Sequence, residues 1–331
     1  MTLVSSYLDY VRTVRRYSPL TVSSYGSVLE DFCSFIAGGY EGELSDDVLL
    51  ESLNVNVLRD YQVNLLDERG ISARSVGLHL SVLSGFCRFL VRESRLKSNP
   101  VKLVPRPRQE RKLPVFYKKE AMQAYFDATQ EYASESMLQP LEESSDIKYA
   151  VKLYRRRLNR AVISTLYSLG IRRSELLLMR LGDVDFSRKV VKIHGKGDKT
   201  REIPLVSSLS KELFLYLKAV EVMVAGERSL SDMFFVTERG RALYPVYVDR
   251  LVKSEFGQFK AFSLRKSPHV LRHTVATELL DEGADLNSIK EMLGHSSLAA
   301  TQVYTHNSIA KLKSIYESAH PRAKNGGKNG D

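Results

Sequence analysis

The sequence has little of what a disulfide scaffold, a metal centre or a membrane segment requires. Only two of its 331 residues are cysteines, and the spacing of Cys33 and Cys87 fits neither a metal site nor a redox motif. The apolar runs fall well short of the roughly 20 residues that span a bilayer, and the N-terminus lacks the basic and apolar segments of a signal peptide. These absences argue against a disulfide-stabilised or membrane-spanning protein and predict a cytoplasmic one whose thiols are buried and reduced.

Acidic residues are too few to balance the basic ones. The chain has 49 Lys and Arg against 39 Asp and Glu, which gives a formal net charge of +10. Such an excess indicates a polyanionic partner such as nucleic acid, although charge alone does not separate DNA from RNA or from an anionic membrane surface. A chain of 331 residues that is 43% hydrophobic is long enough for two globular domains with their own cores.

Residues 1–100 predict a bundle of about four helices. Ser18 followed by Pro19 is a typical N-cap and first helical position, Gly70 is a typical helix end, and Ser72 opens a further helix. The apolar residues of these helices recur at helical spacing. They are Val28, Leu29, Phe32, Phe35, Ile36, Leu58, Tyr61, Leu65, Leu66, Val76, Leu80, Leu83, Phe86 and Leu90.

Residues 101–113, VKLVPRPRQERKL, predict a semi-rigid basic linker between two domains. Two prolines inside the stretch and one directly after it stiffen the backbone. The arginines Arg106, Arg108 and Arg111 are candidate contacts to DNA phosphates. An ordinary solvated linker has the same composition and is an equally good interpretation.

Residues 114–320 predict a second domain that is mainly α with a small β-sheet or hairpin. The acidic stretch from Asp127 to Asp146 has weak periodicity and predicts a loop or a short helical insertion. A buried helix then follows and ends at Gly170. The Gly- and Lys-containing residues 321–331 predict a disordered tail.

Two cationic side chains of the second domain are candidates for holding a phosphate. Arg172 lies at the entry to a predicted helix, and its guanidinium can donate two parallel hydrogen bonds to phosphate oxygens; the neighbouring Arg173 is the competing candidate. From Lys189 to Leu205 the apolar period changes to two around the turn sequence GKGD, which predicts a β-hairpin with Lys196 at its tip. A flexible ammonium there can reach a bound substrate.

Four residues near the C-terminal end would suit an attack on a phosphate. His269 and Arg272 lie three apart at the start of a predicted helix, whose N-terminus favours an anion. His295 follows a predicted helix end at Gly294, where it could donate to a phosphate oxygen, and the phenol of Tyr304 could act as nucleophile. Each also has an ordinary interpretation. His269 and Arg272 could be a surface pair, and His295 could make a favourable contact with its own helix dipole. Tyr304 could serve packing, as most of the 17 tyrosines would.

Four segments together resemble the tyrosine recombinases, the phage-integrase-like DNA recombinases, and most closely their bacterial Xer-type members. The segments are LGIRRSEL, GKGDKTREIPL, HVLRHTVATELLDEGADLNSIKEMLGH and SSLAATQVYTH, which cover most of residues 162–310. Their joint order and spacing are far more specific than any single segment. The resemblance implies these catalytic residues: Arg172 and Arg272 for the phosphate clamp, Lys196 as general acid, His269 for proton transfer, His295 for phosphate binding and Tyr304 as nucleophile.

The resemblance also implies an activity and partners. Members cleave DNA through a 3′-phosphotyrosyl intermediate without metal or ATP and exchange strands through a Holliday junction, so no cofactor is expected; the GKG turn also lacks a P-loop pattern. In such members a SAM-like core-binding domain and the catalytic domain clamp the DNA between them at specific duplex sites. Here residues 1–100 would be the core-binding domain, and the site of action would be the nucleoid. Tetramers form on DNA, and Ile309, Leu312, Ile315 and Tyr316 would dock on a neighbour or pack within their own chain.

Several alternatives stay open at this level. The stretch from Asp127 to Asp146 is longer than in typical Xer-type chains, so chromosome-dimer resolution competes with integration or excision of a mobile element. A partner recombinase, a DNA translocase or an accessory factor is also left open. A type IB topoisomerase uses similar groups, but the order of bundle, linker and catalytic motifs favours a recombinase. A non-catalytic DNA-binding regulator would share the basic charge without needing Tyr304, Lys196 and both arginines.

Overall fold

The structure is a computed structural model that describes residues 2–38, 44–108, 115–195, 199–263 and 265–294. The chain divides into two compact units, residues 1–112 and 113–331. Each unit has a hydrophobic core of its own. Over the described ranges, no helix is both long and apolar enough to cross a bilayer.

The first unit is a helical bundle, as the sequence predicts. Its described α-helices are α1 (Leu3–Thr13), α2 (Pro19–Ala37), α3 (Asp46–Ser52), α4 (Val55–Val63) and α5 (Ala73–Arg92). Ser18 and Ser72 cap α2 and α5, because their hydroxyl groups accept hydrogen bonds from backbone N–H groups three residues further on. The sequence does not predict α3, whose single short apolar run shows no helical period.

The core of the first unit is built around fully buried aromatic rings, among them Phe32, Tyr61 and Phe86. The two cysteines differ in their surroundings. Cys87 is buried, and burial raises the pKa of its thiol to about 12. Cys33 is only half-buried, so the expectation of two buried thiols is confirmed for Cys87 alone.

The beginning of the predicted linker belongs to the first core. Pro100–Leu103 forms a 3-10 turn, and Val101 and Val104 are buried among the residues of the bundle. The linker interpretation stays a prediction for the residues that follow. Of its candidate DNA contacts, Arg106 and Arg108 are exposed, and Arg111 lies outside the described residues.

The second unit is also mostly helical and contains a small antiparallel sheet. Its described helices are α6 (Lys119–Ala128), α7 (Leu138–Glu143), α8 (Ile147–Leu169), α9 (Arg173–Leu178), α10 (Ser207–Met223), α11 (Pro245–Gly257), α12 (Pro268–Asp281) and α13 (Leu286–Leu293). The strands are β1 (Val184–Asp185), β2 (Val190–His194) and β3 (Thr200–Pro204), in the order β1-β2-β3. The mainly α class and the hairpin are thereby confirmed. Val191 pairs with Ile203 in β2 and β3, and both are fully buried.

Helix α8 is the central element of the second unit and packs against α7, α10, α11 and α12. Its residues Leu158, Val162 and Leu166 are fully buried, as their helical spacing predicts. The helix ends with Gly170 in the left-handed conformation, at φ +58°. Because several helices pack against α8, the position of its C-terminal end is well defined, and so is the position where the following residues begin.

The acidic segment before α8 is short helical structure rather than an irregular loop. Two 3-10 turns, Gln130–Ala133 and Glu135–Met137, lead into α7. The segment is anchored by Arg157 of α8, which is only 2% exposed and donates through Nη2 to the carbonyl oxygen of Ser134. The Nη1 of the same guanidinium has no hydrogen-bond partner within the described residues. The segment therefore accepts one of the hydrogen bonds that the buried guanidinium of Arg157 can donate.

A single methyl group at Gly170 is expected to destabilise the second unit. A Cβ there would lie 2.7 Å from Cδ2 of Leu293. We expect Gly170→Ala to lower the free energy of unfolding by about 2–5 kcal/mol, because left-handed strain costs about 1–2 kcal/mol and overpacking about 1–3 kcal/mol. Gly283→Ala is the matched control, since its φ is +85° and no described atom lies within 4 Å of the added carbon. Equal losses in urea denaturation would contradict a role for the Leu293 contact.

Candidate active site

Helix α12 presents His269 and Arg272 in different ways. The helix begins at Pro268, so His269 lies in its first turn, where the side chain is exposed. Arg272 is only 6% exposed. Its Nη1 donates to the carbonyl oxygen of Gly170 (2.8 Å) and its Nη2 to that of Leu293 (2.6 Å). The buried guanidinium therefore joins α12 to the C-terminal ends of α8 and α13.

Arg172 lies at the N-terminus of α9 and reaches the same place. Its backbone N–H donates to Oε2 of Glu175 (2.8 Å), its Nη1 to Oε1 of Glu175 (2.8 Å) and its Nη2 to the carbonyl oxygen of Gly294 (2.9 Å). The competing candidate, Arg173, pairs instead with Asp249 of α11. The structure thus brings Arg172, and not Arg173, into hydrogen-bond contact with the end of α13.

A third arginine, which the sequence analysis missed, completes the arrangement. Arg201 of β3 donates through Nε to the carbonyl oxygen of Met292 (2.7 Å). Its Nη1 and Nη2 donate to the two carboxylate oxygens of Glu175, at 3.1 and 2.8 Å. We call Arg172, Arg201 and Arg272, together with Glu175, the arginine cluster.

The end of α13 explains why three cations gather there. Met292, Leu293 and Gly294 are consecutive, and the carbonyl oxygen of each accepts from a different arginine of the cluster. The last carbonyls of a helix lack partners within the helix and form the negative end of its dipole. Gly294 ends the helix in the left-handed conformation (φ +65°), which confirms the predicted end, and Asp285 caps its start.

Arg272 and Glu175 keep their charges at neutral pH. Burial and the nearby Arg172 lower the pKa of Arg272, which nevertheless remains at about 10. Burial alone would raise the pKa of Glu175, but the hydrogen bonds and charge of Arg201, assisted by Arg172, hold that pKa below its usual value. Three cations and one carboxylate leave a net positive charge. Within the cluster, Arg172 and Arg272 are therefore suited to hold a phosphate, which accepts forked hydrogen bonds from guanidinium groups.

The surroundings of His269 lower the pKa of its ring and so favour the neutral form. Partial burial of the ring lowers its pKa below the usual value, and the positive charge of Arg173 lowers it further, with smaller contributions from His273, Arg272 and Arg265. A neutral imidazole has one nitrogen that can accept a proton and one N–H that can donate a hydrogen bond. His269 can therefore act in proton transfer at neutral pH.

Three predicted site residues lie outside the described ranges, namely Lys196, His295 and Tyr304. Their described neighbours in the sequence are informative, because Gly195 and Gly294 both lie against Arg201. A Cβ built on Gly195 would be 3.7 Å from Nη1 of Arg201, and one built on Gly294 would be 3.0 Å from the same atom. The chain thus leaves the arginine cluster at two points, directly before Lys196 and directly before His295.

Glu175 and Arg201 each have a sequence signal that could have revealed them. Glu175 stands three residues after Arg172, where a carboxylate can accept from the backbone N–H at the start of a helix. Arg201 shares its strand face with the buried Ile203, so alternation places a charge at an inward position. Among the described residues, no group of His, Cys, Asp and Glu side chains could hold a metal ion.

The sequence matches known families and proteins over nearly its whole length. Residues 4–94 match the phage integrase N-terminal SAM-like domain, and residues 144–311 match the phage integrase family. A tyrosine recombinase XerC of Chlorobaculum parvum is 36% identical over 323 residues, which cover 96% of this chain and 94% of the relative. The tyrosine recombinase XerC of Bacillus subtilis is 33% identical over 323 residues, covering 97% and 96%.

The fold is similar to that of solved recombinases. XerH recombinase bound to a palindromic difH substrate aligns with a TM-score of 0.65 at 19% identity, covering 97% of this chain and 83% of that one. A lambda integrase dimer bound to a COC′ core site gives a TM-score of 0.59 at 18% identity, covering 99% and 78%. At these identities the structural likeness concerns the fold, whereas the family follows from the sequence matches. With both domain families matched in order and full-length relatives above 30% identity, the chain belongs to the phage integrase family, that is, to the tyrosine recombinases.

Proposed function

We propose that the protein is a site-specific DNA recombinase that cleaves and rejoins DNA strands. The observation that supports this best is the convergence of Arg172 and Arg272 on the C-terminal end of α13. In the sequence this end is followed at once by His295 and soon afterwards by Tyr304. In the sequence, the end of this cationic cluster, which can hold a phosphate, is therefore followed by the residue that we propose as the nucleophile.

In the proposed reaction, the phenolic oxygen of Tyr304 attacks a backbone phosphate. A phosphotyrosyl bond forms on the 3′ side, the bond from phosphorus to the 5′ oxygen breaks, the phenolic proton passes to a base, and Lys196 protonates the leaving oxygen. The freed 5′-hydroxyl then attacks the phosphotyrosyl bond of a partner duplex, and two such rounds form and resolve a Holliday junction. Each step exchanges one phosphoester bond for another, so the reaction needs no ATP.

The other groups stabilise charge and move protons. Arg172 and Arg272 would hold the non-bridging oxygens and stabilise the charge that develops in the transition state. Their donors face peptide carbonyls, and the ionised oxygens of a phosphate are stronger acceptors than these. His269, with its lowered pKa, would take part in proton transfer, and His295 would donate to the phosphate.

The partners follow from the same proposal. The solved complexes of XerH and lambda integrase contain DNA, and the latter is a dimer, which supports duplex DNA and paired recombinase subunits here. A tetramer on DNA and control by a translocase or an accessory factor are further parts of the proposal. The full-length relation to XerC proteins favours chromosome-dimer resolution at the nucleoid over integration or excision of a mobile element.

A nicked suicide duplex tests the proposed function. The nick lies close to the cleavage site, so the short 5′-hydroxyl fragment diffuses away and the protein stays attached to DNA. We expect a denaturation-resistant adduct, and peptide mapping should find the DNA on Tyr304. If no candidate DNA site yields an adduct, the proposal is contradicted. Relaxation of supercoiled plasmid without a specific site would instead favour a type IB topoisomerase.

The predicted linker contacts give a separate prediction about binding. Replacing Arg106, Arg108 and Arg111 by Ala should weaken binding to all DNA sequences and flatten its salt dependence, by about 0.9 unit of logarithmic slope for each lost phosphate contact. The slope comes from binding titrations at several salt concentrations. Arg188→Ala is the control, because Arg188 is exposed but pairs with Glu202. A slope unchanged in the triple variant would reduce the stretch to a passive linker.

A further inference from the structure

We propose that Arg201 is a positioning residue that holds the base of the β2–β3 hairpin and the C-terminal end of α13 in one fixed arrangement. The inference rests on the proposed function, because its consequence falls on Lys196 and His295. These two residues directly follow Gly195 and Gly294, the points where the chain leaves the arginine cluster. Arg201 itself would touch neither the DNA nor the reacting atoms.

The first support is the completeness of the contacts that Arg201 makes. Its side chain is only 7% exposed, and a charge buried to that degree is stable only when it is paired and hydrogen-bonded. Both terminal nitrogens donate to Glu175, and Nε donates to Met292. A planar guanidinium can serve two partners in different directions at once, whereas the ammonium of a lysine has no fork of this kind.

The second support is the place of Arg201 at the base of the hairpin. It pairs with Ile193 across β2 and β3, and the backbone N–H of Gly195 donates to the carbonyl oxygen of Lys199 (2.7 Å), which closes the described part of the hairpin. A Cβ on Gly195 would be 3.7 Å from Arg201 and 3.9 Å from Oε1 of Glu175. The hairpin base therefore lies directly on the Arg201–Glu175 pair.

The third support is the contact with the turn after α13. Arg201 donates to the last helical turn at Met292, and its guanidinium lies 3.0 to 3.4 Å from the Cβ position of Gly294. The side chain of Arg201 thus lies against both Gly195 and Gly294. Since Glu175 also accepts from Arg172, the same carboxylate orients a residue of the phosphate clamp.

Leaving-group chemistry separates a positioning role from a merely structural one. Breaking the bond from phosphorus to the 5′ oxygen needs a proton for that oxygen, which Lys196 supplies in the proposed reaction. When sulfur replaces the bridging oxygen, a thiolate leaves without a proton, because a thiol has a pKa of about 8.5, against about 16 for water. A defect in Lys196 placement should therefore disappear with the sulfur substrate.

The experiment compares full-length variants on nicked suicide duplexes that carry either a bridging 5′ oxygen or a bridging 5′ sulfur. We expect Arg201→Gln and Arg201→Lys to cleave the oxygen substrate about 10²-fold more slowly than wild type, the lower range for loss of general acid catalysis, and to recover most of the rate with sulfur. Lys196→Ala should show the same pattern. Arg188→Gln, at an exposed ion pair near the same sheet, should match wild type on both substrates.

The ratio of the sulfur rate to the oxygen rate keeps the test valid for partly folded variants, because it does not depend on the fraction of active protein. An equal deficit on both substrates, or no deficit on either, would overturn the role of Arg201 in placing Lys196, which is the consequence that the two substrates test. Wild type without an adduct, or Lys196→Ala without sulfur rescue, would instead contradict the proposed function. Failure of the inference alone appears as rescue of Lys196→Ala but not of the Arg201 variants.

Discussion

Replacing Tyr304 by phenylalanine should abolish covalent attachment to the nicked suicide duplex and leave binding to the site unchanged. The phenolic oxygen is the atom that forms the bond to phosphorus, so its removal leaves no nucleophile, whereas the aromatic ring retains its packing. Adduct formation is measured on denaturing gels and affinity by mobility shift on the same duplex. We expect no detectable adduct at protein concentrations that saturate the DNA.

Tyr316→Phe is the matched control for this result, because Tyr316 is at helical spacing with Leu312 and is predicted to serve packing. It should form the adduct at the wild-type rate. An adduct that persists in Tyr304→Phe, or disappears in Tyr316→Phe, would assign the nucleophile to another residue. The same outcome would remove the link between the arginine cluster and the segment that follows α13.

Arg172→Ala should slow cleavage by about 10²–10³-fold, the usual loss when one charge-stabilising donor is deleted from a transition state. Most of the affinity for DNA should remain, because binding is shared among many phosphate contacts. Arg172 is a cleaner choice than Arg272. Its side chain is 34% exposed and Glu175 keeps both of its hydrogen bonds from Arg201, whereas loss of the buried Arg272 would leave the carbonyls of both Gly170 and Leu293 without that donor.

Arg173→Ala separates this effect from a general loss of charge. The two arginines are adjacent, yet Arg173 pairs with Asp249 of α11 and not with the end of α13. Single-turnover cleavage rates under saturating protein should therefore fall in Arg172→Ala and stay within a few-fold of wild type in Arg173→Ala. If binding and cleavage fall in parallel in Arg172→Ala, Arg172 is only an ordinary contact to the DNA backbone. If cleavage falls further in Arg173→Ala than in Arg172→Ala, Arg173 is the arginine that stabilises the transition state.

Local sequence signals account for most of the fold. Ser18, Ser72, Asp285 and Gly170 mark helix ends through interactions with residues only a few positions away, so they are readable without a structure. The β-hairpin follows equally from alternation around a turn. For the stretch between Asp127 and Asp146 the sequence leaves a loop and short helical turns as alternatives, since the periodicity is weak and the anchor is the distant Arg157.

The candidate site is harder to predict because its contacts are distant in sequence. Without the resemblance, local sequence signals do not separate Arg172 from Arg173, and the contact of Arg172 with Gly294 spans 122 positions. Arg201 and Met292 are 91 positions apart, and neither has a local feature that points to the other. Periodicity reveals which strand face is buried but not which carbonyl a buried guanidinium will meet. The arrangement of the arginine cluster therefore does not follow from the sequence alone.

The buried guanidinium of Arg157 bears on how this domain could be shortened or recombined with a relative's. Excising the acidic segment would remove the carbonyl of Ser134 and strand a cation inside the protein, at a cost of several kcal/mol. A compact version must therefore exchange Arg157 for an apolar side chain in the same step. The turns before α8 and Arg157 therefore depend on each other, although they are separated along the chain.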